Sequence, residues 1–538
     1  MKLREKNQTD KQSIYSSIPH EISIFTNRKI AKAAIINVSS RIGLGIFGFL
    51  QIILIARTFG ISHAIDAYMI AIWIPLLVWG IGDSVLIYSL VPYLVFIHVK
   101  DGKQHVKEAV NHIFSWFFLS FLLFAFLFYL ISPYLTYILA PGFSEDVRVL
   151  TADLLRWLSP TIFLGGLTAF FSALLYTIKR FSVPALVALF PDLGAIGFIL
   201  FGIEKWGIKA VVFGFLTGVS IQLIVLFFTL LKLGMLPRFR WSGIKEFTRS
   251  AKLMGPRFGG LGLNRALIGV DRFFASMLGS GAISVLGYSY KLPNFLFLMF
   301  ISVFGKTLMP TLAKEVAQGN TDTVRKFIPR AIGFALFCLT PIVFLLVYYS
   351  ESIVRIIYQR GAFTPDSTSV TAQILIFPTI ALLFQCVGVI FSGIFFAYGD
   401  TWTPFKVTTV SFLLNALLDL ILMNIFGIFG IAIATLAVSF VSMTILYHKL
   451  TLRIGRIKIS LAFKSFIKIA VATGVMGITI WGLTVTFSKH ISYRNLAGQL
   501  FEMGIYSLFS WIVFLIVCRL LKSEEYLTIK LMLSRKFE

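Results

Sequence analysis

Acidic residues are scarce in this sequence. The 538-residue chain carries 24 Asp and Glu against 49 Lys and Arg, and charged residues of both signs make up 14% of it, where soluble domains hold roughly 25%. A water-soluble fold cannot hide a chain that is 57% hydrophobic, so lipid must solvate much of it. Cysteine is nearly missing. Cys338, Cys386 and Cys518 each fall inside an apolar run, without metal-ligand spacing or a disulfide framework, and read as small buried residues. The first 27 residues are polar and lack an apolar core, which argues against a cleaved signal peptide. A nucleophile–base pair, a metal cluster and a nucleotide-binding loop are all missing. An enzyme is therefore not expected, and neither is a bound cofactor. Gly-rich runs such as Gly259-Gly260 read instead as helix-packing sites.

Long apolar runs are what the chain has in abundance. About fourteen stretches are long enough to cross a bilayer as helices. They lie near 31–58, 66–97, 110–134, 150–177, 184–202, 209–231, 253–277, 283–312, 328–349, 368–397, 404–425, 428–447, 465–487 and 499–518. The net charge of +25 is not the footprint of a nucleic-acid binder, because the cations sit in short segments between apolar runs. With the N-terminus placed in the cytoplasm, 33 of the 49 Lys and Arg fall in cytoplasmic segments and seven in external ones. That bias is the one the positive-inside rule demands. It predicts a multi-pass protein with both termini cytoplasmic.

The chain also repeats itself. Ala64-Ile65 recurs as Ala282-Ile283, Pro75 as Pro293 and Pro92 as Pro310, an offset of 218. Further on, Thr151-Ala152 recurs as Thr371-Ala372, Phe171-Ser172 as Phe391-Ser392 and Pro184 as Pro404, at 220. Six spans per copy keep the two copies in the same orientation, related by an axis along the membrane normal. The expected architecture is all-α. A cytoplasmic tail over 1–28 precedes an N-lobe over 29–233, a cytoplasmic linker over 234–252 and a C-lobe over 253–450. Two further spans and a cytoplasmic C-terminal tail fill 451–538. Two lobes of this kind enclose a central cavity and alternate access by rocking. The last two spans offer either a lipid-facing groove or a packing surface. Pro75 and Pro92 predict bends in span 2, matched by Pro293 and Pro310 in span 8.

Nine cations lie within the spans, and each costs ~2.5–3.5 kcal/mol at a helix centre. Lys32, Arg57 and Arg156 are near ends and can snorkel. Arg41, Arg265, Lys291 and Lys306 lie deeper. Arg265 and Arg272 are seven residues apart and share a face of span 7; Lys291 and Lys306 roughly share a face of span 8. A cavity lined with cations suits a phosphate or diphosphate rather than an organic cation. Structural pairing is the competing reading, and Asp271 is placed to neutralise a neighbour in span 7 or 8. The candidate substrate-binding set is Arg41, Asp66, Arg265, Arg272, Lys291 and Lys306.

Several stretches carry a family resemblance: Tyr358 to Thr364 (YQRGAFT), Phe395 to Val407 (FFAYGDTWTPFKV) and Asp271 to Ser284 (DRFFASMLGSGAIS), with Ala56 to Gly60 (ARTFG), Asp66-Ala67-Tyr68 and Ala140 to Phe143 (APGF) in the first copy. In these the chain resembles the lipid II flippase (MurJ/MviN) family of the multidrug/oligosaccharidyl-lipid/polysaccharide exporter superfamily, over about residues 30–450. The resemblance implies a flippase for undecaprenyl-diphosphate-linked peptidoglycan precursor in the bacterial inner membrane, with an arginine-rich central cavity. It matches Ser40-Arg41 to the serine-arginine of span 1, and Asp66 to the aspartate that follows the family's phenylalanine-glycine pair. The family's other N-lobe arginines fall on Gln51, Trp79 and Gly80, and its alanine-aspartate-arginine-leucine reads Ser289-Tyr290-Lys291-Leu292. Those departures keep two other readings open: a flippase for another undecaprenyl-linked glycan, and a membrane scaffold that transports nothing. The expected partners are the lipid-linked glycan, membrane lipids and cell-wall synthesis proteins, with no nucleic acid. Coupling to the membrane potential or to a cation, with Asp66 or Asp419 as a ligand, is a further expectation.

Overall fold

The computed structural model describes residues 28–240, 266–307, 309–457, 459–487 and 496–527. Every regular element among them is helical. The first copy contains α1 (Arg28–Phe59), α2 (His63–Val85), α3 (Val91–Leu139), α4 (Glu145–Thr177), α5 (Ser182–Val187), α6 (Phe190–Trp206) and α7 (Lys209–Lys232). The second contains α8 (266–276), α9 (Ala282–Thr307), α10 (Met309–Ala317), α11 (Thr321–Tyr348), α12 (Ser350–Tyr358), α13 (Pro365–Ala397), α14 (Trp402–Phe426) and α15 (Ile428–Ile454). Then come α16 (Ile459–Phe487) and α17 (Leu496–Leu520).

Twelve helices among the described residues are long and apolar enough to cross a membrane. They match twelve of the fourteen expected spans. The other two expected spans correspond to α8, whose preceding residues lie outside the described ones, and to α9. At 26 residues, α9 is about 39 Å long, enough to cross ~30 Å of hydrocarbon. Its middle is polar, with Tyr288, Ser289, Tyr290, Lys291 and Asn294. The protein is a multi-pass membrane protein.

The predicted irregularity of span 2 is present. A π-helical turn over Leu86–Leu90 separates α2 from α3, directly before Pro92. Proline lacks the N–H that the next turn needs, and the wider turn absorbs the mismatch. α3 then breaks at Gly102 (φ 84°, ψ 177°), where the expected second and third spans meet. The repeat is visible in the backbone. Gly207 (φ 52°, ψ −134°) joins α6 to α7, and Gly427 (φ 57°, ψ −135°) joins α14 to α15. They are 220 residues apart, the offset read from the sequence.

The chain forms two compact units. One comprises Met1–Gln51, Val78–Leu130 and Arg156–Phe258; the other comprises Ile52–Leu77, Ile131–Leu155 and Gly259–Glu538. The second unit therefore takes in the ends of α1 and α3 and the starts of α2 and α4. In the first unit, α3 and α4 meet through aromatic rings. Phe117 and Phe118 lie 5.3 and 4.9 Å from Phe170 and Phe163, and the small Gly166 makes room for Phe121. After α7 the chain turns back along α3, where the amides of Arg238 and Arg240 donate to Asn111 and Ser115 (both 2.7 Å).

In the second unit, α11, α13 and α15 pack around Ile390, Phe391, Phe395 and Leu450, all buried. α16 and α17 pack on α11 through Ile469, Met476, Phe514 and Phe337, so the last two spans have a packing surface. Outward residues such as Phe201 (92% exposed) and Ile478 (70%) are apolar side chains for lipid to cover. Cys386 and Cys518 are buried free thiols.

Candidate functional site

The site gathers on α9. A helix of this length begins with amides that have no partner within the helix and carry partial positive charge. Here a carboxylate from another element meets them. Asp66, in the first turn of α2, accepts from the amide of Gly281 through Oδ2 (2.6 Å) and from that of Ser284 through Oδ1 (2.7 Å). It is fully buried. Ser284 Oγ in turn donates to the carbonyl of Gly281 (3.0 Å). One turn further on, Tyr288 donates its hydroxyl to the carbonyl of Gly60 (2.9 Å). Its ring stands 5.3 Å from that of Tyr358 and 5.4 Å from that of Phe363.

The surrounding contacts are close. Gly60 lies at φ +58°, and a Cβ there would collide with the carbonyl oxygen of Ala362. The amide of Ala362 donates to the carbonyl of Arg57 (2.8 Å). The equivalent turn of the first copy makes the crossed contact: the amide of Gly142 donates to Ser276 Oγ (3.4 Å). Thus the turn after α12 sits on the end of α1, and the turn after α3 sits on the end of α8. Arg272, on α8, donates from Nη1 to the carbonyl of Met69 in α2. Gly269 and Gly287 lack the Cβ atoms that would strike Trp73 and Met69, so α2 settles tightly against α8 and α9. These contacts form a latch, with its carboxylate from α2 and its amides from α9.

A second cluster lies beside the middle of α9. Asn415, on α14, donates from Nδ2 both to Asp271 Oδ1 on α8 and to Asp419 Oδ2 on its own helix (both 2.8 Å). Asp271 is 8% exposed, Asn415 3% and Asp419 0%. Thr435, on α15, lies beside Asp271; its hydroxyl donates to the carbonyl of Ile431 (3.3 Å) and lies 3.1 Å from that of Tyr290 on α9. Asp419 Oδ1 is buried without a hydrogen-bond partner. Two carboxylates taken out of water repel each other, and one amide does not offset the cost of removing both from solvent. The cluster therefore needs a positive charge between the acids, either a proton or a cation. The ligand atoms at hand are oxygens, those of Asp271, Asp419 and Thr435, whereas Asn415 turns its Nδ2 toward the acids. Such a set fits a hard cation and not a thiophilic metal.

The sequence-predicted site residues divide as follows. Asp66 and Arg272 enter the latch, where both oxygens of Asp66 face protein amides. Lys291 follows Tyr290 on α9 and is half-buried. Arg41 lies on α1 and Lys306 on α9, but their side chains fall outside the described ones, and Arg265 lies outside the described residues. Sequence reasoning missed Asn415, Thr435 and Tyr290. One signal was available: Asn415 and Asp419 are four apart in an apolar run, hence on one helical face.

Two copies of one helical unit, a latch on α9 and a buried acid pair lie on a fold shared with membrane transporters. The fold agrees: an inward-facing multidrug resistance MATE family transporter of the MOP superfamily superposes with a TM-score of 0.64 at 11% identity, covering 79% of this chain and 99% of that one. A structure of lipid II flippase MurJ in an inward closed conformation superposes with a TM-score of 0.74 at 24% identity, covering 91% of this chain and 99% of that one. The family model described as lipid II flippase MurJ matches residues 55–501, and the chain belongs to that family. Among curated relatives, the probable lipid II flippase MurJ of Thermotoga maritima is 29% identical over 486 residues, 89% of this chain and 94% of the relative. The lipid II flippase MurJ of Thermosipho africanus is 28% identical over 444 residues, 81% of this chain and 87% of the relative.

Proposed function

We propose that this chain moves lipid II, the polyprenyl-diphosphate-linked peptidoglycan precursor, from the cytoplasmic to the outer leaflet of the bacterial inner membrane, with both of its termini in the cytoplasm. The observation that carries this reading is the family match over residues 55–501. The latch supports it. α2 of the first copy is held on α8 and α9 of the second by bonds that can break and re-form as a unit, which alternating access requires. Lys291, Arg41, Arg265 and Lys306 are the cations proposed to meet the diphosphate, with Asp66 and Arg272 holding the latch. Enzymes of cell-wall synthesis are the partners this role implies.

The acid pair supplies the coupling. A cation or proton held by Asp271 and Asp419 adds charge inside the membrane, and the membrane potential acts on that charge with ~2.3 kcal/mol per 100 mV. One observation favours another polyprenyl-linked glycan as cargo. Trp79, where the family resemblance calls for arginine, packs edge-on against Phe215 at 6.1 Å, which leaves an aromatic surface where a cation was expected.

The test is growth rescue in cells depleted of their own lipid II flippase. Rescue by the chain, lost in Lys291→Gln and Arg41→Gln variants present at normal membrane levels, supports lipid II as cargo. No rescue with the protein present in the membrane turns the assignment toward the other glycan, after a flux assay with that lipid.

A further inference from the structure

The latch and the acid pair share one helix, and a single side chain connects them. From Ser284 to Tyr290, α9 makes a different contact at each of four polar positions. Ser284 faces Asp66, Tyr288 faces Gly60, Ser289 Oγ donates to the carbonyl of Thr371 on α13 (2.9 Å), and Tyr290 faces Thr435 on α15 (3.1 Å). Tyr290 is the one of these that reaches toward the acids. A buried phenol needs a hydrogen-bond partner, and the hydroxyl of Thr435 is the one beside it.

That hydroxyl has one proton and two hydrogen-bonding neighbours, Tyr290 (3.1 Å) and the carbonyl of Ile431 (3.3 Å), with Asp271 beside them. With the acids bare, Thr435 donates its one proton to the carbonyl of Ile431, and its oxygen accepts from Tyr290. With a cation between the acids, Thr435 Oγ1 offers its second lone pair to the cation. The polarised oxygen is then a poorer acceptor, and its bond to Tyr290 weakens. The phenol is freed to shift, and Tyr288 and Ser284 lie within two turns of it on the same helix.

We infer that Tyr290 is a positioning residue that relays occupancy of the Asp271–Asp419 pair, through Thr435 and α9, to the Asp66 latch. The inference rests on the cation reading given above. The sequence motif that α9 replaces makes Tyr290 distinctive in this chain: a tyrosine stands where the family resemblance calls for aspartate. An aspartate there would have added a third acid to the cluster; a phenol reads the cluster without adding charge.

The experiment measures amide hydrogen exchange of the stretch from Leu278 to Tyr288 in purified full-length protein, in sodium against choline at fixed pH, alongside the melting temperature in each salt. In wild type, sodium should change both. In Tyr290→Phe, the sodium-dependent rise in melting temperature should persist, whereas the sodium effect on exchange at Gly281 and Ser284 should shrink about fivefold, the worth of one neutral hydrogen bond. A Tyr290→Phe protein whose exchange responds to sodium as wild type does would overturn the relay. So would one that loses both responses, since Tyr290 would then belong to the cation site itself. Asp419→Asn separates this failure from that of the underlying reading. If Asp419→Asn abolishes both sodium responses, the cation site stands whatever Tyr290 does. If it leaves both intact, the cation reading falls and the relay falls with it.

Discussion

Asp66 accepts a 2.7 Å hydrogen bond from the amide of Ser284, and the two residues are 218 positions apart, the offset of the internal repeat. Equivalent positions of the two copies therefore touch each other. The pair is chemically unequal. The first copy supplies a carboxylate that caps α9, whereas Ser284 directs its hydroxyl to its own turn at Gly281. One acid of the first copy thus caps a helix of the second.

Removing that acid should loosen the latch. Hydrogen bonds to a charged group contribute ~1.5–3 kcal/mol each, and Asp66→Ala removes two. Exchange of the Gly281 and Ser284 amides should rise by at least an order of magnitude, and growth rescue should fail. Asp66→Asn keeps an acceptor and should fall between Asp66→Ala and wild type.

Gly60 should tolerate no side chain. Gly60→Ala must hold φ near +58° and also displace the Ala362 carbonyl. Gly399 lies at φ +73° with nothing within 4 Å of a Cβ. Gly399→Ala should therefore lose only the ~1–2 kcal/mol of a left-handed alanine, and Gly60→Ala clearly more. Melting temperatures of the two variants side by side check the difference.

Asn415 hydrogen-bonds to both buried acids, and Asn415→Leu takes that bridge away. Two unscreened carboxylates should then demand a cation more strongly, so stability in choline should fall by ~3–5 kcal/mol and recover in part in sodium or at low pH. Thermal unfolding in both salts across a pH series reads this out. Equal loss in every condition would count against a charge between the acids.

Outside the spans, Asp400 titrates within a turn. Burial raises its carboxyl, but the amide and hydroxyl of Thr403 and the guanidinium of Arg453 (2.6 Å) outweigh that, and the carboxyl sits below the usual carboxylate range. A lowered folded value means that its stabilisation is complete above the ordinary value near ~4 and is lost as pH falls through the lowered one. Exchange at the Thr403 amide should be steady from neutral pH down to about 4 and quicken relative to Asp400→Asn controls only below it.

The spans were legible because apolar length and cation bias are local signals. Pro75 and Pro92 announced the irregular second span, and the π turn at Leu86–Leu90 lies where they predicted a bend. The repeat was legible too, and Gly207 and Gly427 confirm its offset in their dihedral angles. Residue roles were harder to read. Asp66 entered the candidate set through the family resemblance; its neighbours in the structure, Gly281 and Ser284, are amides more than 200 residues away, which no local pattern reveals. Tyr290 and Thr435 were overlooked because a lone hydroxyl in an apolar helix commonly bonds to its own backbone.

The residues at 52–77 and 131–155 belong to the same compact unit as 259–538, and this bears on how the chain is made. When the ribosome has completed the first copy, the start of α2 is already in the membrane, but the amides for Asp66 and the guanidinium for Met69 have not been synthesised. A newborn first half must wait in lipid with a buried-type carboxylate exposed, a state that membrane quality-control proteases or insertases can recognise. Premature termination between the copies should yield a fragment that inserts yet is rapidly cleared, and maturation of the full protein should lag insertion by the time needed to translate the second copy.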